Sequence, residues 1–249
     1  MTISHRASTG IVGGVTTGLS FTMPTGHTLD DLLICWVGVK PYTCTMTSGT
    51  ILTDYTSRGS KTSGTVASGV GVGSMRAEAY TRTHDGTETV PSATMTASPN
   101  PRMSAMSAFT KTIAGAWDIA STTGADTSAS GAGLSIVSDA AIDLQPGDVL
   151  LLLVVAPDDT AVPLASSITA SGITFGSGMA SLPTIATTSG NDGAMYMVAV
   201  PVTAGTGTVT VTYADTLAQS GESEAAAVFI RLREPAPPAS VTDYWGAAA

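Results

Sequence analysis

Apolar residues along this chain fall into short runs separated by Gly, Ser, Thr and Asp. Some runs alternate: over 208–213, Val209, Val211 and Tyr213 point one way and threonines the other, as in a half-buried strand. The run Leu150–Val155 is apolar at every position, so we expect a central strand or one covered by a neighbouring surface. Convincing helical periodicity with caps is missing, and the weak helix candidates are 114–120 and 219–227. The pattern therefore predicts an all-β protein.

The pattern predicts six strands in each half of the chain. In the first half these are 18–23, 32–39, 50–55, 75–83, 88–96 and 104–113. In the second half they are 134–144, 149–156, 168–175, 194–202, 207–213 and 225–233. Two Gly- and Ser-rich stretches, 60–73 and 176–193, are expected to be long loops at the same end of each half, where binding is commonly placed.

The two halves repeat one another. The stretch 31–39 is echoed by 148–156, 86–90 by 205–209, and 104–113 by 224–233, at offsets of 117, 119 and 120 residues. Three echoes in the same order at nearly one offset indicate an internal duplication. We therefore expect two tandem, similar β-sandwich domains, jelly-roll-like or immunoglobulin-like, over residues 1–114 and 115–234, meeting near 114–127, where Trp117 and Ile119 indicate a packed connection.

The last residues, 235–249, read as a Pro-rich extended tail. Tyr244 and Trp245 lie on this tail, which has no core of its own, in a chain whose aromatic content is only 5%. Such a tail is either mobile or docked on another subunit. Tyr244 and Trp245 are accordingly our candidates for subunit docking.

Composition and charge narrow the partners. Charged residues make up only 12% of the chain, so much of the polar surface must be Thr and Ser. The net charge of −9 argues against nucleic acid, whose binding depends on Lys and Arg. The charge is also uneven. Residues 1–114 have eight Lys/Arg and six Asp/Glu, a net of +2, and residues 115–249 have two and thirteen, a net of −11. A charge-polar molecule can stack head to tail, although drift between two copies would also produce this asymmetry.

Two cysteines, Cys35 and Cys44, are too few for a disulfide-stapled domain, and we expect apolar fillers, with a bridge as the alternative. The start lacks the apolar stretch of a signal peptide, and the longest apolar run, 149–156, is far shorter than a membrane span. We therefore expect a product made in the cytoplasm, with no membrane partner.

Candidate chemistry is sparse. Glu78, Glu88, Glu222 and Glu224 could supply an acid/base pair, but Glu78 lies on an alternating strand and is expected at the surface with Arg76 and Tyr80. The pairs 30–31 and 158–159 read as turn aspartates, not calcium ligands. The three histidines, His5, His27 and His84, stand far apart in sequence, the glycines of 69–73 lack a following Lys, and Trp36 reads as core. We therefore expect no enzyme and no catalytic, cofactor or metal site.

The chain resembles structural proteins of tailed bacteriophage particles, especially phages of actinobacteria. The resemblance is carried by a Pro-Thr-Gly-x-x-x-Asp-Asp-Leu-Leu segment at 24–33, a Pro-Gly-Asp-Val-Leu-Leu segment at 146–151 and the Thr/Ser/Gly/Ala-rich all-β character. It implies a sandwich fold, a place on the virion, no catalysis, and contacts with other virion proteins and with copies of itself.

Within that class we expect a minor tail protein that forms a homo-oligomer, with a trimer as the closed state. A capsid decoration protein is one alternative. A carbohydrate- or host-surface-binding module using the loops 60–73 and 176–193 is another, and a hydrolase with a dispersed site is a third.

Overall fold

A computed structural model of the chain describes residues 3–13, 16–69, 72–97, 99–126, 133–157, 167–179, 182–187, 192–215 and 224–237. The protein is all-β, as the apolar pattern predicts. Its one described helix, α1, covers Thr50–Asp54. The strands are β1 Ser4–Gly13, β2 Gly18–Ser20, β3 Leu32–Val39, β4 Met46–Ser48, β5 Thr56–Gly69, β6 Val72–Thr83, β7 Ser92–Met95, β8 Arg102–Thr110, β9 Asp118–Asp126, β10 Leu134–Ser138, β11 Ile142–Leu144, β12 Val149–Ala156, β13 Ile168–Ala170, β14 Thr174–Phe175, β15 Thr184–Thr187, β16 Gly193–Ala204, β17 Gly207–Val209, β18 Val211–Asp215 and β19 Ala225–Arg233.

Two large antiparallel sheets form the centre of the molecule. The first has five strands in the order β1-β8-β3-β6-β5. The second has nine, in the order β13-β18-β10-β9-β19-β12-β16-β14, with β15 also paired to β16, and it curls until it is nearly closed. A small sheet β2-β7-β4 lies beside the first large sheet, and β11 pairs with β17.

The strand orders of the two halves correspond. The path β1-β8-β3-β6-β5 in the first half corresponds strand by strand to the path β9-β19-β12-β16-β15 in the second half. In the same way, β2-β7-β4 corresponds to β10-β18-β13. The turns that enter β3 and β12 also correspond, because His84 and Val202 exchange backbone hydrogen bonds with 30–31 and 147–148, respectively. Asp30 has a φ of 68° where the second half has Gly147 with a φ of 95°.

Three apolar cores fill the spaces between the sheets. The first core lies between the two large sheets and takes Leu32, Ile34 and Trp36 from β3 and Leu151 and Leu153 from β12, among others. The second core lies inside the curl of the nine-stranded sheet, and the third lies between the first sheet and β2-β7-β4. Strands β3 and β12 are therefore covered on both faces, which confirms the two-sided burial expected for Leu150–Val155.

Five expectations about individual segments need correction. The expected strand 50–55 is instead helix α1 over Thr50–Asp54, followed by Tyr55 as its C-cap, and Ile51 and Tyr55, four residues apart, are the buried positions. The stretch from 60 to 69 belongs to β5 and is not a loop. Residues 118–120, inside a weak helix candidate, begin β9, and 225–227, inside the other, begin β19. Residues 184–187, inside the second expected loop, form β15.

Other expectations are confirmed. Trp36 is fully buried, and Trp117 and Ile119 pack against the first core, as a packed connection requires. Cys35 and Cys44 are both buried and unbridged, and burial raises the pKa of the Cys35 thiol well above its ordinary value. Both therefore act as small apolar fillers.

Candidate assembly surface

Terminal strands of a sheet are candidates for subunit contact. The first sheet ends in β5, which packs against β9 and β19, and in the ten-residue strand β1. Strand β1 pairs with β8 along its whole length, from Ser4 opposite Thr110 to Gly13 opposite Arg102. Among the described residues no strand is hydrogen-bonded to its other side. Its counterpart β9 pairs with β19 along its whole length and also with β10 at Gly124 and Ala125. The outward N–H and C=O groups of β1 are thus available to pair with another chain.

Strand β15 of the second sheet lies beside β1. A cleft of about 380 Å³ runs between them and is lined by Ser8, Thr9, Gly10 and residues 183–186. The approach is close, because a Cβ added to Gly10 would come within 2.9 Å of Ile185 Cδ1. The ends of both large sheets therefore meet at one side of the molecule, which we call the β1/β15 side.

A chain of polar groups fastens β1 at this side. His5 Nε2 lies 2.7 Å from Ser8 Oγ, which lies 2.8 Å from Ser107 Oγ on β8. The Ser107 hydroxyl in turn donates to Met197 Sδ at 3.9 Å. A serine hydroxyl that is hydrogen-bonded to an imidazole can act as a nucleophile. The Ser8 hydroxyl, however, is also hydrogen-bonded to Ser107 inside the sandwich. The arrangement stiffens the strand on both sides of its bulge between His5 and Ala7.

The residue at that bulge, Arg6, is held by Asp31, with Nε 2.6 Å from Oδ2. Asp31 is buried and accepts a hydrogen bond from Thr28 N at 2.8 Å. In the second half Asp148 accepts from Gln145 N at the same 2.8 Å and binds Arg233 through two contacts of 2.7 and 2.8 Å. Asp31 is therefore the turn residue that the sequence predicts, with an added ion pair.

The candidate carboxylates do not form an acid/base pair. Glu78 is buried, which corrects the expectation of a surface charge: it shares a face with Arg76 and Tyr80, but the sheet β2-β7-β4 covers that face. Arg76 and the Tyr80 hydroxyl donate to Glu78 at 3.1 and 2.8 Å. Glu88 lies beyond β6, beside His84 and Arg82.

Burial by itself would raise the pKa of Glu88, but hydrogen bonds from backbone N–H groups and His84 outweigh it and hold that pKa below its ordinary value. Glu224 is buried beside Gly64, on a different part of the sheet. Each of the three carboxylates is therefore engaged locally.

Some of the remaining candidate residues lie in the part of the chain that the structure describes, and others lie outside it. His27 and His84 are not isolated, since their rings meet edge to face at 4.5 Å, a contact that their separation in sequence hides. Residues 158–159 and Glu222 lie outside the described residues, and so do Tyr244 and Trp245, the docking candidates. Residues 70–71 of the glycine stretch 69–73 also lie outside the described residues. Gly69 belongs to β5, and Gly73 belongs to β6.

Within the described ranges, no three His, Cys, Asp or Glu side chains are grouped so that they could hold a metal ion. Over the same ranges, no helix has the length and apolar character needed to cross a membrane. No known protein family and no curated protein matches this chain.

Proposed function

We propose that the chain is a non-enzymatic structural component of a tailed-bacteriophage virion, associated with the tail and assembled through contacts between copies. The observation that carries the proposal is β1, a ten-residue terminal strand to whose outer side no described strand is paired. Such an edge promotes aggregation unless another strand or element covers it, and pairing with a second copy is the simplest cover. The resemblance to virion proteins supplies the setting.

The same proposal includes an internal duplication, with sandwich units over 1–114 and 115–234. Two observations support it: the corresponding strand orders, and the corresponding turns in which Asp31 and Asp148 each accept a hydrogen bond from the backbone N–H three residues earlier. The strand order and the turn hydrogen bonds are independent observations. The units differ at β1, which has no described strand paired to its outer side, whereas its counterpart β9 pairs there with β10 at Gly124 and Ala125. A duplicated unit with an unpaired β1 edge is suited to assembly.

The tail position and a trimer are our preferred form of the proposal, and a capsid decoration protein is the alternative. Electron microscopy of intact particles would distinguish tail from head. Absence of the chain from purified virions would reject both. Light scattering on the purified chain gives its assembly state, and a trimer has three times the chain mass of 24.9 kDa.

Hydrogen exchange tests the role of β1 directly. If a second copy covers β1, its backbone amides should become more protected as the protein concentration rises from about 1 µM to about 100 µM. The part of β9 around Gly124 and Ala125 is the matched control, because β10 and β19 both pair with it within one chain and its protection should not change. Equal exchange of β1 at both concentrations, in a chain that light scattering shows to be oligomeric, would place the subunit contact elsewhere.

A further inference from the structure

Strand β5 has a bulge near its start. The extra residue in this bulge is an arginine, as it is in the bulge of β1. Ser57 pairs with Tyr80 and Gly59 with Ala79, so Arg58 is the extra residue between them. Gly59 adopts a φ of 145°, a value that L side chains rarely reach. A bulge turns a side chain away from the regular alternation, and bulges are frequent next to functional sites. The bulge therefore sets the direction of the Arg58 side chain.

The two bulge arginines differ in what they bind. Arg6 has its partner in Asp31. Arg58 donates from Nε to Thr81 Oγ1 at 2.6 Å, and it forms an ion pair with no carboxylate among the described residues. Partial burial lowers its pKa from the ordinary value, which is the direction expected when a cation loses water without gaining an anion. The terminal nitrogens of Arg58 are left to bind a ligand.

Arg58 opens into a cleft of about 230 Å³ between the first sheet and the start of β9. Trp117 lines the same cleft, and its Nε1 donates to Asp30 O at 2.9 Å, which fixes the plane of the indole. Lys111 Nζ lies 5.0 Å from the centre of the Trp117 ring, a cation–π distance. Lys111 likewise forms no ion pair within the described part of the chain. Two cations and a fixed aromatic ring thus stand together in an acidic protein.

The other charged groups at the cleft leave this arrangement available. Arg82 lines the cleft but is already bound by Asp85 at 3.3 Å and Glu88 at 3.3 Å, with Asp54 at 4.0 Å. Thr56 and Thr83 add hydroxyl groups to the lining. A ligand here would meet the Arg58 guanidinium, an aromatic surface and neutral hydroxyls, with the Asp54 carboxylate in the lining beside Arg82.

We propose that this cleft binds one acidic sugar residue, a hexuronate, with its carboxylate on Arg58 and its ring against Trp117. A guanidinium binds a carboxylate through two parallel hydrogen bonds, and hydroxyls and an aromatic ring suit the rest of a pyranose. The volume is smaller than a typical pocket for a larger ligand, so one sugar unit is the expected occupant and an extended peptide is not. The site does not depend on the proposed β1 contact.

The test is a titration of the full-length ¹⁵N-labelled chain with sodium galacturonate, followed by the indole N–H signal of Trp117. The chain has three tryptophans, and Trp117→Phe assigns the signal. We expect saturable shifts at millimolar concentrations and about tenfold weaker binding in Arg58→Gln, because a charge-assisted contact is lost. Binding should also weaken with added salt, since the site is partly exposed.

Arg102→Gln is the matched control. Burial also lowers the pKa of Arg102, which donates to Thr16 O at 3.2 Å and forms no described ion pair, but it lies away from the cleft. Its replacement should leave binding unchanged. If Arg58→Gln fails to fold, Arg58→Lys keeps the charge, loses the fork and should weaken binding less.

Three further ligands separate the possible results. Galactose has no carboxylate, acetate has no ring, and an aspartate-containing dipeptide has a carboxylate on a peptide. Binding of galacturonate above all three supports the proposal. Equal binding of galactose, acetate or the dipeptide overturns it, as does an unchanged affinity in Arg58→Gln or the absence of any shift of the Trp117 signal.

Discussion

The aspartates before β3 and β12 show how one residue can serve two purposes. Each stops its turn by accepting a backbone hydrogen bond, and each neutralises an arginine. Their surroundings differ in exposure, because the side chain of Arg6 is 32% exposed and that of Arg233 is 17% exposed. A more exposed ion pair is screened more strongly by water and contributes less to stability.

This difference predicts an order of stability losses. Asp148→Asn keeps the side-chain size but removes the buried partner of Arg233, which keeps its ion pair with the more exposed Asp143 at 2.9 Å, and should cost about 2 kcal/mol. Asp31→Asn should cost about 1 kcal/mol, because Arg6 can turn to water. Urea unfolding followed by circular dichroism gives both values. Asp54→Asn is the control, since its carboxylate lies on the surface 4.0 Å from Arg82, and its effect should fall within about 0.5 kcal/mol of zero. Equal losses for Asp31 and Asp148 would contradict the ranking.

At the scale of the element, β9 depends on a residue that leaves no apolar signal. Gly124 lies on β9 where β10 and β19 both pair with it, and a Cβ there would be 2.5 Å from Val137 O and 3.0 Å from a ring carbon of Phe229. A backbone oxygen cannot move away without disturbing the β9–β10 ladder. The strand therefore needs a glycine at this position because of packing and not because of its φ.

Gly124→Ala should accordingly destabilise the protein by about 2–3 kcal/mol, in the range of an overpacked core. Gly18→Ala in β2 is the matched control: nothing lies within 4 Å of its added Cβ, so the change should be neutral or slightly favourable. Thermal unfolding of the two variants beside the parent chain compares them directly. A loss of the same size for Gly18→Ala would show that the cost is general to alanine in these strands.

These elements also show which parts of the fold could be predicted from sequence. Strands such as β3 and β12 are covered on both faces, so their apolar runs identify them. Strands β1 and β9 are rich in Ser, Thr and Gly and pair with residues about 100 positions away, so a local pattern cannot reveal them. Strand β5 pairs with the adjacent β6, but its Ser, Thr and Gly residues give it no apolar pattern that would distinguish it from a loop. The cleft at Arg58 has no local sequence signal either, because it combines the start of β5 with a tryptophan that precedes β9.

At the scale of the whole molecule, the two halves share their largest interior. The first core combines residues of β3, β6 and β8 with residues of β12, β16 and β19, so neither half encloses it alone. Lys61 of the first half also binds Asp139 of the second at 2.8 Å, and hydrogen bonds with Lys61 and Thr123 lower the pKa of Asp139 although burial by itself would raise it. Lys40, fully buried, donates to the carbonyl groups of Pro157 and Asp192 across the same boundary. Separation of the halves would expose an apolar face on each and break these contacts.

A shared core predicts that both halves unfold in one transition, which matched substitutions can test. Leu33 and Leu150 occupy corresponding positions in β3 and β12, both fully buried, but they face the third and the second core, respectively, and not the shared one. Replacing either by Ala should cost about 3 kcal/mol, or roughly 6–12 °C in Tm for a chain of this size. Calorimetry should show a single peak that moves as a whole in either variant, with the calorimetric enthalpy equal to the van 't Hoff enthalpy. If the halves were independent, Leu33→Ala would split the peak and leave one component at the parent Tm, and Leu150→Ala would leave the other. The inference that the first core couples the two units would then be wrong. Each unit would have to be stable by itself, although it has one large apolar face that packs against the other unit.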